Sequence, residues 1–569
     1  MASVLGISGL YHDAAAALVI DGTIIAAMQQ ERFSRVKHDR ALPKDAALAC
    51  LRFAGMAPEA LDAVIYYERP FQKLERVLVS TLRGFPQSFR QFPRAMRAQL
   101  ADKLWVLDAI SETLNVPRRR VRAVGHHESH AASAFFPSPY ERAAVLTLDG
   151  VGEDTTTALW FGNGNTLTPI ASTAWPQSLG LFYAAMTAWS GFEVLEGECK
   201  LMGLAAFGQP IHREELGRVL LLHETGEFEL DLSFFDRFTD TELGFGKRLE
   251  QLLGERRDPL IPWDLTTPRD QHYANVAATV QCITEEAVLG LARRASRETG
   301  ACNLCLAGGI ALNAVANARL AKESGFDRIF VQPAAGDAGG ALGAAILGSI
   351  ALGDRRPSAM TSAALGLTAS ASDTVDLCKH LGLSARRVSD PAESAASLLS
   401  ENKVVGFVQG RFEFGPRALG HRSIIASPET IAIRDRINSV VKQREPFRPF
   451  APAILADSCS QYFDTEPSDM TAFMTTVASV HASVPTPIDA VLHCDGTARI
   501  QTVTADAASG LEAVLRARVR RGEAPILLNT SLNGRNEPIV GSAIDAILFF
   551  LAHRVDALIV EDVLVERQT

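Results

Sequence analysis

The sequence predicts an α/β protein of more than one domain, the first built on a repeated sheet unit. Three observations carry that expectation. A strand–loop–hairpin pattern, with an aspartate in the loop after its first strand, occurs twice. Two further apolar strands run into glycine-rich loops. A polar, Ala/Ser-rich stretch over residues 353–373 then precedes a second segment of helical and strand patterns. At roughly 100–200 residues per domain, 569 residues suggest more than one domain, and this linker divides the chain into a first domain over 1–355 and a second over 374–569.

The elements follow in order. SVLGIS is an apolar strand and GLYHD its loop, and Asp21-Gly22 marks a two-residue hairpin turn inside AAAALVIDGTIIAAM. The pattern returns as AAVLTLD, GVGED and TTTALWFGNGNTL, with the turn expected at Gly162-Asn163-Gly164. Residues 274–297 have the 3.6-residue periodicity of an amphipathic helix. CLAGGIALNAVANARL and RIFVQPAAGDAGGALGAAIL are the two strand-to-glycine-loop transitions. The small apolar run 339–352 is shorter than the ~20 residues that span a bilayer, so it is expected as a buried helix. Beyond the linker, helical segments lead into the strand VVGFVQ.

Composition sets limits. With 47% hydrophobic and 21% charged residues, the chain is not mainly disordered. A net charge of -9 gives no general pull toward nucleic acid or an anionic membrane, and neither is expected as a partner. The first residues lack a basic start, and His12 and Asp13 interrupt their apolar run, which does not read as a signal peptide. Scattered cysteines suit a reduced, cytoplasmic setting. Cys302 and Cys305 form a CxxC with no second pair at zinc-finger spacing, and are expected as buried strand thiols. Residues 84–97 alternate Arg with Phe, and 118–120 are all Arg. Such interleaving can bind single-stranded nucleic acid, but an amphipathic helix with snorkelling cations, or the rim of an acceptor cleft, is the favoured reading.

His126 and His130 lie one helical turn apart, a spacing that lets two imidazoles grip one ion; a polar helix end would show the same residues. Asp149 and Asp337 each follow an apolar strand among glycines, at the sheet edge where open α/β sheets bind ligands. Two imidazoles and two carboxylates without a thiolate suit a divalent ion such as Fe, Mn or Zn. The loops around Gly150, Gly152, Gly308, Gly309, Gly339 and Gly340 would let a backbone approach phosphates, although none matches GxxxxGKS/T. Lys200 in EGECKLMGLAAFG is a candidate phosphate cation or else a surface lysine. In the second domain, GRFEFGPRALGHRS carries Arg411, Arg417 and Arg422; KQREPFRPFAP carries Lys442, Arg444 and Arg448; DGTARIQTV carries Arg499; and LLNTSLN carries Asn529, Thr530, Ser531 and Asn533. Arginines among Gly, Pro and Phe suit a shaped pocket for phosphate or carboxylate, or a solvated basic surface.

These phrases, with HHESHAASAFF, LTLDGVGE, LAGGIALN, PAAGDAGGALGAA and REPFRPFAPA, run in order over nearly the whole chain and resemble the NodU/CmcH family of O-carbamoyltransferases. The resemblance implies an actin-like (ASKHA) duplicated domain followed by a YrdC-like domain. It implies that the rear domain forms carbamoyl-adenylate from carbamoyl phosphate and ATP with Mg. The front domain then transfers the carbamoyl group to a hydroxyl of a small-molecule natural product. It further implies Fe(II), or another divalent ion, at His126, His130, Asp149 and Asp337, and a place for Lys37 near the nucleotide. Ligand contacts are expected at Gly150, Gly152, Lys200, Gly308, Gly309 and Asn313, and at Arg417, Arg422, Lys442, Arg448, Arg499, Asn529 and Ser531. His12, on the first loop, is the candidate base for the acceptor hydroxyl, since an imidazole titrates near neutral pH. A homodimer fits the family. His421 departs from the usual residue in its phrase, and residues 69–104 match poorly, which leaves acceptor recognition open. No zinc-finger or acylphosphatase-like front extension is seen, which disfavours the hydrogenase-maturation carbamoyltransferases. Two other readings share the folds: a tRNA-modifying (threonyl)carbamoyl transferase, which the net charge disfavours, and a non-catalytic actin-like nucleotide-binding protein, which the intact site positions disfavour.

Overall fold

Two α/β units make up the computed structural model, which describes residues 2–85, 92–223, 226–236, 244–505 and 509–567. The first unit is Met1–Ile25 with Arg40–Ala359, and the second is Ala26–Asp39 with Met360–Thr569.

The first sheet joins β1 (Ser3–Ser8), β2 (Ala15–Ile20), β3 (Thr23–Gln29), β4 (Ala63–Tyr66) and β5 (Val121–Ala123) in the order β3-β2-β1-β4-β5. The β2–β3 turn has Asp21 and Gly22 at φ 49° and 74°, the left-handed pair that such a tight turn demands. The second sheet joins β6 (Arg142–Leu148), β7 (Thr155–Asn163), β8 (Thr166–Ala174), β9 (Asn303–Ala307) and β10 (Arg328–Val331) in the order β8-β7-β6-β9-β10. Both sheets therefore run third, second, first, fourth, fifth strand. The directions repeat as well, with the first and second strands antiparallel and the first, fourth and fifth parallel. The second hairpin differs from its expected turn: cross-strand pairing of Arg142 with Asn163 keeps β7 running through Asn163, and the turn falls at Gly164, φ 56°.

Five helices position the site: α1 (Pro70–Arg83), α2 (His126–Phe135), α3 (Glu198–Ala205), α4 (Pro268–Thr299) and α5 (Asp337–Ala351). The run DAGGALGAAILGSIA makes α5 a helix almost without side-chain bulk, buried throughout Asp337–Ile346. It packs on α2 on one side and β1 on the other, backbone against backbone. A Cβ on Gly343 would stand 1.8 Å from Ser129 O of α2, and one on Gly6 of β1 would stand 1.9 Å from Ala341 O. Nothing larger than hydrogen fits at either point.

The second unit holds one mixed sheet of β11 (Ala385–Arg387), β12 (Val405–Val408), β13 (Arg422–Ala426), β14 (Ala451–Leu455), β15 (Gln501–Val503), β16 (Ile526–Ser531), β17 (Ala557–Val560) and β18 (Val563–Glu566). Its order is β11-β18-β17-β12-β13-β16-β14-β15. The early segment Ala26–Asp39 is fastened into this unit by arginines: Arg32 donates to Gly415 O at 2.8 Å, and Arg35 to Pro538 O and Ile539 O, each at 2.7 Å.

Cys305 is buried in β9 as expected, but Cys302 is exposed just before the strand begins. Of the basic run 84–97, residues 86–91 lie outside the described residues. The Arg118–Arg120 turn is structural: Arg118 pairs with Asp108 at 2.8 Å, and Arg120 donates to Glu59 O and Leu61 O. Among the described residues no helix is long and apolar enough to cross a membrane.

Because α2 and α5 touch through backbone, Gly343→Ala is expected to push them apart at a cost of about 3 kcal/mol. Equilibrium urea unfolding measures it, and an unchanged midpoint would show that the two helices can separate freely.

Candidate functional site

The small-residue contact between α2 and α5 brings two ends of secondary structure to one point. His126 is the first residue of α2 and His130 lies one turn on, so both imidazoles share a face. Asp337 is the first residue of α5, and Asp149 follows β6 directly. One ligand atom from each lies within 4.8 Å of the others. His126 Nε2 is 2.9 Å from Asp149 Oδ2 and 3.8 Å from Asp337 Oδ1; His130 Nε2 is 3.5 and 3.6 Å from the same atoms.

The donor chemistry fits a divalent cation. The two Nε2 atoms face each other at 3.1 Å, and two imidazole lone pairs do not stay that close without a proton or a metal between them. Asp337 Oδ1 is buried with no hydrogen-bond donor among the described residues, a costly arrangement unless a cation takes the charge. Burial disfavours a His130 cation, yet Asp149 and Asp337 outweigh it and hold the imidazole up at about 9. Burial likewise opposes ionised Asp149, but His126 and His130 hold its carboxyl well below the usual range. The pocket thus wants positive charge, and a metal and a proton compete for it.

Neighbouring groups orient this set. Tyr67 OH donates to Asp337 Oδ2 at 3.2 Å, and Gly309 N–H to Asp149 Oδ1 at 3.2 Å. The Glu153 carboxylate accepts the His126 N–H at 2.9 Å and the Arg69 N–H at 2.8 Å, so a buried anion sits on the amino end of α2. Arg356 closes the other end by donating to the carbonyls of Phe135, Phe136, Ser138 and Tyr140. His127 is packed between helix and hairpin against Thr147 Oγ1 and Thr155 O, and burial lowers it to about 3. Sequence reasoning missed Glu153 and Arg356. Only the short GxxE spacing of Gly125 and Glu128, which closes the helix start at 3.2 Å, carried a local signal.

His12 reaches the edge of the cluster, with Nε2 3.7 Å from Asp337 Oδ2 and Nδ1 2.9 Å from Asp13. Burial opposes its charge, but Asp337 and Asp13 raise it to about 9. Its anionic neighbours thus favour the protonated ring, and a cation that neutralised them would favour the base. Gly150 and Gly152 lie on the loop after Asp149, and a Cβ on Gly152 would press on the His126 ring at 3.0 Å. Gly308 and Gly309 follow β9. Asn313, expected to bind a ligand, is instead spent inside the fold: it caps a helix through Ala316 N–H and exchanges two hydrogen bonds with Gln281. Lys200 is buried on α3, which packs on α4.

The second unit gathers cations. Lys442 Nζ is buried and donates to Ser531 O and Oγ and to Asn533 O and Oδ1. Burial, then Arg444, Arg448 and Lys37, hold it well below its usual value. Lys37 thus belongs with this lysine, on the segment Ala26–Asp39. The loop bearing Arg417 is anchored from below: Glu413 Oε1 accepts the N–H groups of Leu419, His421 and Arg422, and Asn529 Nδ2 donates to Ala418 O at 3.1 Å. Asn529 Oδ1 stays buried with no donor among the described residues. Arg422 is fully buried, and its Nη1 and Nη2 donate to the carbonyls of Gly410, His421 and Leu367, so it braces backbone, while its Nε has no acceptor among the described residues. His421 is structural too, its Nδ1 3.1 Å from Gln409 O. Arg499 precedes β15, near Gln501, which pairs with Asn529.

Comparison with known proteins agrees over both units. The family model "Carbamoyltransferase N-terminus" matches residues 3–346 and "Carbamoyltransferase C-terminus" matches 396–567. An uncharacterized protein of Synechocystis sp. is 39% identical over 99% of this chain and 96% of its own. Nodulation protein NolNO of Sinorhizobium fredii is 37% identical over 98% of this chain and 79% of its own. The 3'-hydroxymethylcephem-O-carbamoyltransferase of Amycolatopsis lactamdurans is 32% identical over 46% of this chain and 49% of its own.

His130→Ala is expected to abolish metal binding by the purified protein, read by elemental analysis after reconstitution with Fe(II), Mn(II) or Zn(II). Full retention would remove His130 from the ligand set.

Proposed function

This chain belongs to the carbamoyltransferase family, and we propose that it is an ATP-dependent O-carbamoyltransferase acting on the hydroxyl of a small molecule. One observation carries the reading: two sites of opposite electrostatic demand lie in separate units, a buried anionic cluster in the first and a crowded cationic pocket in the second. A one-step transfer would need only one of them. The repeated strand order supports reading the first unit as actin-like, and we read the second as YrdC-like.

In the second unit carbamoyl phosphate loses its phosphate to water. The freed carbamate oxygen then attacks the α-phosphorus of Mg-bound ATP, forming carbamoyl-adenylate as pyrophosphate leaves. These groups are all anionic, and Arg417, Lys442, Arg448, Arg499 and Lys37 supply the charge that holds them together. Ser531 and the free Asn529 Oδ1 add polar contacts, the latter suited to a carbamoyl NH₂.

In the first unit the acceptor oxygen bonds to the carbamoyl carbon, the bond from that carbon to AMP breaks, and the hydroxyl proton passes to His12. Fe(II) or another divalent ion held by His126, His130, Asp149 and Asp337 would supply Lewis acidity toward the carbamoyl oxygen. Tyr67 and Gly309 keep the two carboxylates aimed inward throughout.

The test separates the half-reactions. Arg417→Ala is expected to slow carbamoyl-phosphate-dependent pyrophosphate release by ~100-fold, while transfer from supplied carbamoyl-adenylate continues. If pyrophosphate release survives and transfer fails, the assignment of steps to units is reversed.

A further inference from the structure

The loop between β1 and β2 carries Tyr11 beside His12, their ring centroids 4.6 Å apart. Although His12 reaches a buried cluster, Tyr11 is 41% exposed, so its ring forms part of an open wall next to the proposed transfer site. Cations crowd that wall. Lys73 Nζ lies 5.2 Å and Lys103 Nζ 5.8 Å from the Tyr11 ring centroid. Arg76 of α1 sits near Tyr11 and lies 5.5 Å from the Trp175 ring.

The carboxylates near this wall are already engaged. Glu68 grips Lys73 with both oxygens, at 2.7 and 2.9 Å. Glu153 holds the backbone of His126 and Arg69, and Asp154 accepts the Thr155 hydroxyl. Neither Arg76 nor Lys103 has an ion-pair partner among the described residues. Burial and repulsion from Lys73, Arg76 and Arg40 outweigh the pull of Glu68 and push the Lys103 ammonium down to about 8. Glu68, Glu153 and Asp154 attract Arg76, and Glu68 attracts Lys103, but none makes an ion pair with either among the described residues, so these cations on a half-buried aromatic wall describe a seat for an anion.

We infer that the acceptor is an anionic alcohol: its hydroxyl enters beside His12, while an oxyanion on the same molecule, a carboxylate or phosphate, is held by Arg76 and Lys103 across the Tyr11 ring. This rests on the carbamoyl-transfer reading and names the class of its acceptor. It also gives a role to the stretch 69–104, where α1 supplies Arg76 and a later turn supplies Lys103. The specificity so achieved is for charge near the hydroxyl, with Tyr11 favouring a flat or apolar body between the two groups.

The test uses three probes alike in shape, 4-(hydroxymethyl)benzoate, its amide, and 4-(hydroxymethyl)benzylamine, with the full-length metal-loaded protein. Calorimetry measures binding, and mass spectrometry measures carbamoylated product. The benzoate is expected to bind at least ~10-fold more tightly than the amide, the worth of one charge-assisted contact, and the amine more weakly still. The double variant Arg76→Gln, Lys103→Gln should bring benzoate and amide to equal affinity, and Lys103→Glu should favour the amine. Equal binding of benzoate and amide to the unmodified protein, or a preference that survives the double variant, overturns the inference. So does failure of all three to bind. Pyrophosphate release, followed in the same preparations, reports separately on the carbamoyl-transfer reading, which falls if none is produced.

Discussion

The contact of α2 with α5, backbone on backbone, is the constraint on which the first unit depends. Gly343 lets the Ser129 carbonyl come where any side chain would be, and Gly6 does the same for β1 on the far side of α5. With bulk removed, the ends of three elements meet: the first turn of α2 with its histidine pair, the first residue of α5 with Asp337, and the loop after β1 with His12. Asp337 and the histidine pair sit on the ends of rigid helices, so their geometry is inherited from packing, while His12 is placed by the loop that follows β1. Glu153 and Arg356 then hold α2 at its two ends, one with a carboxylate on free N–H groups and the other with a guanidinium on free carbonyls.

The two sites answer each other electrostatically. The first gathers carboxylates and imidazoles in a dry space where the histidines keep Asp149 ionised, and the second sets Arg444, Arg448 and Lys37 around a buried lysine whose charge they disfavour. Arg422 is the most deeply buried of the predicted cations, and its two terminal nitrogens are held by main-chain carbonyls.

Much of this was legible in the residues. Alternating apolar runs, the Asp21-Gly22 turn and the histidines one turn apart are local signals, and each was placed by its own neighbours along the chain. The glycines of α5 announced a buried helix but not its partner, because which backbone approaches a glycine is a non-local fact. For the same reason the partners of Asn313 and Arg422 within the fold were not legible. Side-chain type tells what a group can bond, while the carbonyls or amides that claim it first come from residues far off in sequence. Glu153 and Arg356 left no trace at all, since an anion at a helix start is recognisable only once both strands of the argument, helix and loop, share a position. The sequence boundary at residue 355 puts Lys37 within the first domain, while the segment Ala26–Asp39 that carries it belongs with the second unit.

That segment has a consequence for how the protein is made. Ala26–Asp39 leaves the ribosome before Arg40–Ala359, but the groups that receive Arg32 and Arg35, around Gly415 and Ile539, are synthesised only after all of that stretch. The second unit is a lock whose key is cut first and must wait. Cutting the chain near residue 360 would part Ala26–Asp39 from the unit that receives it, leaving Arg32 and Arg35 without the carbonyls of Gly415, Pro538 and Ile539.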